Sequence, residues 1–196
     1  MKLSPLYREA LTFAYDLHRD QERKELGVPY MAHVLGVSSL TLEFGGDEEQ
    51  AIAALLHDAA EDQGGAAVLA EIRSRFGVRV ADIVRECTDS LESPKPPWKE
   101  RKVRYLEHLA RAPVDAQLVA ACDKLYNLNA TIADYRQQGE ALWPRFAGGK
   151  AGVLWYFRSL ADGFNLQNPV LETLRRGVAE LESLVREHTA RNGGVG

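Results

Sequence analysis

Apolar residues recur at three- and four-residue intervals along nearly the whole chain, and no stretch alternates apolar with polar for long enough to make a strand. Leu6, Ala10, Phe13, Ala14 and Leu17 form a first amphipathic stripe. Pro29 suits the first turn of a second helix, where its missing N–H has no partner to lose, and Val34, Val37, Leu40 and Leu42 continue that helix to the Gly45-Gly46 stop. Asp47 is placed to cap a third helix, with Glu48, Glu49 and Gln50 in its first turn. This helix is expected to carry His57 through Asp62 without interruption and to end at Gly64-Gly65.

Val68, Leu69, Ile72 and Phe76 predict a short helix closed by Gly77, and Val80, Ile83 and Val84 another. Ser93-Pro94-Lys95-Pro96-Pro97 cannot be helical throughout, and reads as a mobile loop inserted over the site. Helix resumes from Trp98 to Ala110, and Pro113 opens the next. A glycine-rich break, Phe146 to Lys150, precedes the apolar run of Val153, Leu154, Trp155, Phe157 and Leu160. Asn168-Pro169 then starts a last amphipathic helix through Val185. The pattern predicts an all-α fold, a compact multi-helix bundle in one domain over 1–190, with a flexible tail over 191–196.

A chain of 196 residues, 45% hydrophobic and 27% charged, supports one sizeable core and the class of a soluble globular protein. No apolar stretch reaches membrane-spanning length, and the first residues begin no signal-peptide pattern, so no membrane association and a cytoplasmic location are expected. Cys87 and Cys122 form neither a CxxC motif nor a disulfide framework, and are expected as buried thiols. A net charge of −4 argues against nucleic acid as a partner. It leaves room for a small polyanion, which needs only local cations. Arg23 with Lys24, Lys99 with Arg101, and Arg145 with Lys150 are the candidates, each also compatible with a solvated face.

The densest chemistry lies in Ala54-Leu55-Leu56-His57-Asp58-Ala59-Ala60-Glu61-Asp62, where a buried run breaks into an imidazole and three carboxylates. Crowding those groups against a core is costly unless protons or a cation compensate, and a divalent metal is the simplest compensation. Two other segments add donors of the right type. Pro29-Tyr30-Met31-Ala32-His33 puts an imidazole at a helix start, and Asp123-Lys124-Leu125-Tyr126-Asn127 follows a second buried run. His33, His57, Asp58 and Asp123 would supply two nitrogens and two oxygens, a set that suits manganese, iron, zinc or a related ion. Gly148-Gly149-Lys150 lacks the spacing and the following Ser/Thr of a phosphate-binding Walker loop, and no serine sits in a nucleophile elbow.

The order His…His-Asp…Asp resembles the signature of the HD superfamily of metal-dependent phosphohydrolases. The wider series is similar to the hydrolase domain of RelA/SpoT enzymes over roughly residues 8 to 165, and above all to the stand-alone small alarmone hydrolases. It consists of Gln21-Glu22-Arg23-Lys24 through His33, Ala53 to Asp62, Arg75-Phe76-Gly77, and Asp123 to Leu128. The resemblance implies an HD-domain bundle and His33, His57, Asp58 and Asp123 as metal ligands, with Mn²⁺ the expected ion. It implies Glu61 and Asp62 as the catalytic pair, Glu61 as general acid/base and Asp62 orienting water or sharing the proton. It implies Arg23 and Lys24 at the nucleotide phosphates and Asn127 at the nucleoside. Lys99, Arg145 and Lys150 are expected at the pocket rim.

The reaction so implied is hydrolysis of the 3′-pyrophosphate of a purine alarmone, (p)ppGpp or (p)ppApp, to pyrophosphate and the nucleoside 5′-di- or triphosphate. The alternatives are another nucleotide phosphomonoesterase, such as an NADPH 2′-phosphatase or a 3′-nucleotidase, and a non-catalytic alarmone sensor. The sensor is disfavoured because Glu61 and Asp62 stand beside a full ligand set. Ala130 departs from the hydroxyl residue that several family members carry near the nucleoside. His18 is expected to be structural, and His108 and His188 to face solvent.

Overall fold

The computed structural model describes residues 2–23, 27–90 and 94–192. Its elements are α1 (Pro5–His18), α2 (Met31–Glu43), α3 (Glu48–Leu56), α4 (Ala59–Gln63), α5 (Gly65–Phe76), α6 (Val78–Cys87), α7 (Trp98–Leu109), α8 (Val114–Gln138), a 3₁₀ segment (Gly139–Arg145), α9 (Gly149–Gly163) and α10 (Pro169–Asn192). Among the described residues the only β-type pairing is one isolated bridge, Glu22 to Pro29. The all-α expectation holds.

The bundle is built around α3. Ala51, Ile52, Ala53, Ala54, Leu55 and Leu56 are all fully buried, as a helix apolar on every face must be. Helices α1, α2, α6 and α8 surround it. The N-terminus of α3 is set by the predicted cap: the Asp47 carboxylate accepts from the Gln50 amide and the Gln50 side chain accepts from the Asp47 N–H. The second axis is α8, buried from Ala116 to Asp123 and covered along its later turns by α10. Asn168 caps α10 by accepting from the Val170 N–H, and its amide donates to the Phe44 carbonyl at the end of α2. The last helix thus closes on the second.

Helices α2 and α8 meet unusually closely. A Cβ at Gly36 would lie 2.1 Å from the Tyr126 ring, so only glycine lets that ring lie flat against α2. This approach brings His33 on the first turn of α2 opposite Asp123 and Asn127 of α8.

Three boundaries differ from expectation, and so does the setting of His188. The third helix is interrupted: α3 stops at Leu56, His57 and Asp58 form a turn (Asp58 φ −95°, ψ −5°), and α4 is a separate five-residue helix. Helix α2 starts at Met31, because Pro29 pairs across the bridge to Glu22 instead. The last helix runs to Asn192, so the expected tail begins with helical residues, and 193–196 lie outside the described residues. His188 is half-buried, its ring 6.0 Å from that of Tyr135, rather than facing solvent. His108 is exposed as expected and pairs with Glu86 at 2.9 Å. Cys87 and Cys122 are buried free thiols, and burial pushes the Cys122 thiol up to about 12. No described helix is long and apolar enough to cross a membrane.

Candidate metal centre and its carboxylate rim

The break between α3 and α4 is what makes the site. Adjacent residues on a continuous helix diverge by about 100° and cannot face one point. With the chain turned at His57 and Asp58, His57 Nε2 and Asp58 Oδ2 approach to 3.0 Å. Both meet His33, whose Nε2 lies 3.2 Å from His57 Nε2 and 3.3 Å from Asp58 Oδ2. Asp123 Oδ1 closes the group at 3.4 Å from His33 Nε2 and 3.6 Å from His57 Nε2. His33, His57 and Asp123 are buried, while Asp58 is half-buried.

The tautomer of His57 is fixed by its surroundings. Its Nδ1 is 2.9 Å from the Ala54 carbonyl, which can only accept, so Nδ1 carries the proton and Nε2 turns inward. Two imidazole nitrogens 3.2 Å apart cannot both present lone pairs to each other without a proton or a cation between them. Burial disfavours the His57 cation, yet Asp58 and Asp123 override it and raise its pKa well above the ordinary imidazole value. Burial likewise opposes ionisation of Asp58, and His57 with His33 overrides it, holding that carboxyl well below the usual range. Asp123 is held down against its own burial by Lys124 first and His57 next, with Lys124 Nζ 2.6 Å from Asp123 Oδ2. A divalent ion satisfies the same donors. The convergence of His33, His57 and Asp58 with Asp123 against them therefore fits a metal by donor type and by the direction in which Nε2 of His57 faces.

Tyr30, beside the helix start, donates its hydroxyl to Asp58 Oδ2, and its ring packs 5.2 Å from that of His33. The sequence offered Tyr30 only as part of a motif. On the α8 side Asn127 donates to Asp123 Oδ1 at 2.6 Å and accepts from Arg23 at 3.3 Å, while the Arg23 guanidinium lies 5.2 Å from the centre of the Tyr126 ring. Arg23 is thus folded back over α8. Lys24 lies outside the described residues. Between α2 and α8 a groove of about 400 Å³ opens beside Tyr126, lined also by Gly36, Asn129 and Ala130.

Glu61 and Asp62 lie on α4 within a turn of Asp58, the Asp62 N–H donating to the Asp58 carbonyl at 3.0 Å, and their side chains are held by different parts of the chain. Glu61 Oε1 accepts from Lys95 at 2.7 Å and Oε2 from the Asp89 backbone N–H at 3.1 Å. The Asp89 carboxylate is held by Arg101 and by Lys102, the latter at 3.0 Å, and Arg101 Nε also donates to the Pro96 carbonyl at 3.1 Å. On either side of residues 91–93, which include Ser93 of the expected loop and lie outside the described residues, the connection between α6 and α7 thus reaches Glu61. Asp62 Oδ2 accepts from the Gln21 amide at 2.8 Å. The three expected rim cations are on the side of α8 and α9: Lys99 Nζ lies 2.7 Å from the centre of the Trp155 ring, Arg145 pairs with Asp134 at 3.2 Å, and Lys150 with Glu140 at 2.9 Å. Lys95, Lys102 and Lys124, which the charge pattern did not single out, stand nearer the carboxylates.

Comparison with known proteins places this geometry. The model of the HD domain matches residues 10–154. A zebrafish (Danio rerio) protein named guanosine-3′,5′-bis(diphosphate) 3′-pyrophosphohydrolase MESH1 is 40% identical over 123 residues, which cover 61% of this chain and 66% of that protein. Its Drosophila melanogaster namesake is 38% identical over 128 residues, covering 64% of this chain and 69% of that protein. The matched stretch thus spans about two thirds of these relatives. The solved structure of a metazoan SpoT orthologue, described as hydrolysing ppGpp and acting in starvation responses, superposes with a TM-score of 0.66 at 27% identity, covering 98% of both chains. The chain accordingly belongs to the HD-domain family, alongside its SpoT-type hydrolases.

Proposed function

We propose that this protein is a metal-dependent hydrolase that removes the 3′-pyrophosphate of a purine alarmone such as ppGpp. The products are pyrophosphate and the nucleoside 5′-di- or triphosphate. The observation that carries the reading is the inward convergence of His33, His57, Asp58 and Asp123 with Glu61 and Asp62 beside them. Mn²⁺ is the ion assigned to the centre. When bound, a divalent ion supplies Lewis acidity, acidifying water and neutralising charge on a phosphate oxygen.

The chain's own groups account for the rest. In the reaction the bond between phosphorus and the ribose 3′-oxygen breaks, the water oxygen ends on the released pyrophosphate, and one water proton ends on the 3′-oxygen. Glu61 is placed to move that proton, and Asp62 to orient the water. Arg23 and Lys24 meet the nucleotide phosphates. Asn127 contacts the nucleoside, which the groove beside Tyr126 and Ala130 accommodates. Lys99, Arg145 and Lys150 remain the proposed outer rim, where release of their present partners would turn them to a polyanion. The whole unit is one domain over 1–190, and two unpaired buried thiols fit a reducing compartment, the cytoplasm.

The test is a substrate panel of ppGpp, ppApp and NADPH with Mn²⁺, Mg²⁺ or Zn²⁺ added, separating pyrophosphate from orthophosphate. Pyrophosphate release from ppGpp or ppApp, strongest with Mn²⁺, is the expected result. Orthophosphate from NADPH alone would assign the protein to the phosphomonoesterases instead.

A further inference from the structure

His18, at the last turn of α1, is fully buried although no charge of its own pairs with it. Its Nδ1 lies 2.7 Å from Gln21 Oε1, and Gln63 Nε2 approaches the same oxygen at 2.6 Å. Gln21 Nε2 in turn donates to Asp62 Oδ2 at 2.8 Å. The orientation of this chain of contacts is forced. A carboxylate only accepts, so the Gln21 NH₂ must face Asp62, its oxygen must face His18 and Gln63, and His18 must donate from Nδ1. That leaves His18 Nε2 as a lone pair, and it is buried without a partner. Burial holds the His18 pKa below the ordinary imidazole value, which keeps the ring neutral and this tautomer in place. The backbone adds its own constraint, since the Tyr30 N–H donates to the Gln21 carbonyl at 2.9 Å and the Gln21 N–H to the His18 carbonyl at 3.0 Å.

We infer that Gln21 is a positioning residue for Asp62, and that His18 and Gln63 exist to stop its amide from turning over. Two donors on one amide oxygen leave a single orientation, in which the NH₂ points at the carboxylate. A flipped amide would set an oxygen against Asp62 and repel it. A buried imidazole with one unsatisfied nitrogen is a poor choice for packing alone, because burying an unpaired polar atom costs stability. Its value is the Nδ1–H. The inference rests on the reading of Asp62 as part of the catalytic pair.

The experiment compares His18→Asn, His18→Leu and Gln21→Leu. Asparagine can place an N–H where Nδ1 was, whereas leucine fills the volume and removes the orphaned nitrogen. We expect His18→Leu and Gln21→Leu each to lower kcat by about ten- to a hundredfold with KM nearly unchanged, the scale of a misplaced reacting group. His18→Asn should recover most of the turnover. Metal content should stay at the wild-type level in all three, and His18→Leu should melt no lower than His18→Asn. The double variant His18→Leu/Gln21→Leu should be no slower than Gln21→Leu alone. If turnover follows melting temperature instead, with leucine at 18 as active as asparagine, the role is packing and the inference falls.

A second readout does not depend on activity. The side-chain amide of Gln21 should give a distinct ¹⁵N–¹H pair that shifts in Asp62→Ala and broadens in His18→Leu but not in His18→Asn. An unmoved signal in Asp62→Ala overturns the contact itself. Wild-type turnover of ppGpp, ppApp and NADPH in the same series decides the proposed function separately. A protein inactive on all three would sink that function while the amide signal still decides the role of Gln21.

Discussion

The metal centre and the carboxylate rim adjoin each other but are secured in opposite ways. His57 follows a helix whose last six residues are fully buried, and Asp123 sits within the buried run of α8, so the packing of the core fixes both. Glu61 and Asp62 lie on a helix of five residues, too short to be rigid on its own. They are held by side chains and an amide from the two longest connections at the site, Gln21 before α2, and Asp89 and Lys95 before α7. Metal affinity should therefore follow core packing, and turnover should follow hydrogen bonds made by connections. A core-anchored set tolerates no change without loss of the ion, whereas the rim can be detuned in steps.

The largest effect separates the two regions outright. His57→Ala should lose metal and activity together, read as metal per chain and turnover, because a missing ligand weakens both. Retained turnover in excess chelator would break the comparison at its root. The same centre makes the metal-free protein respond to pH with a definite sign. His57 has a raised pKa, so its stabilising pairs with Asp58 and Asp123 are fully present below the ordinary imidazole value and are lost as pH climbs through the raised one. Asp58 and Asp123 are depressed, so their share is present above the ordinary carboxylate value and is lost on acidification. Melting of the metal-free form should fall on both flanks, and added Mn²⁺ should restore stability on the alkaline flank, where His57 no longer carries a proton that the ion must displace.

Next in size is Glu61→Gln. It keeps the shape of the rim and should leave metal content normal while turnover drops by about two to four orders of magnitude. Normal turnover would pass the proton transfer to Asp62. Arg23→Ala should act on substrate alone, raising KM about tenfold through loss of a charged hydrogen-bond donor, with metal content and kcat little changed. Smallest is Lys95→Ala. Its ion pair with Glu61 is partly exposed, and such pairs are worth about 1 kcal/mol or less, so turnover should change by about fivefold at most and the difference should shrink in high salt. A larger, salt-insensitive loss would mean that Lys95 touches substrate.

The helices were legible because burial and period are local properties: the Asp47 cap, the Gly77 stop and the Asn168 cap all appear where the sequence put them. Of the four candidate ligands, His57, Asp58 and Asp123 were legible as residue types after buried runs, and His33 as an imidazole at a helix start. The break at His57-Asp58 was not, since Leu-Leu-His-Asp-Ala-Ala contains neither glycine nor proline, and contacts with His33, Tyr30 and Asp123 from distant segments favour the turn. The basic residues sorted poorly for a related reason. Charge says nothing about neighbours, so Lys99 and Lys150 look no different in sequence from Lys95 and Lys124, although only the latter pair reach the candidate catalytic and metal-binding carboxylates. His18, expected to be structural, hydrogen-bonds Gln21, and the link of Gln21 to Asp62 and Gln63 depends on α4 bringing those residues to it, which the sequence does not display.

The connection between α6 and α7 has a consequence for how such proteins can diverge. Surface connections accept insertion and replacement far more readily than buried helices do. Here one of them supplies the partners of a candidate catalytic carboxylate, through the Asp89 N–H and Lys95, while none of its described side chains belongs to the hydrophobic core of the bundle beneath. Exchanging that segment would change the environment of the chemistry without asking the rest of the molecule to refold. The segment most open to variation in length and composition is therefore also a place where a new preference for leaving group or nucleotide can be acquired by a single local exchange.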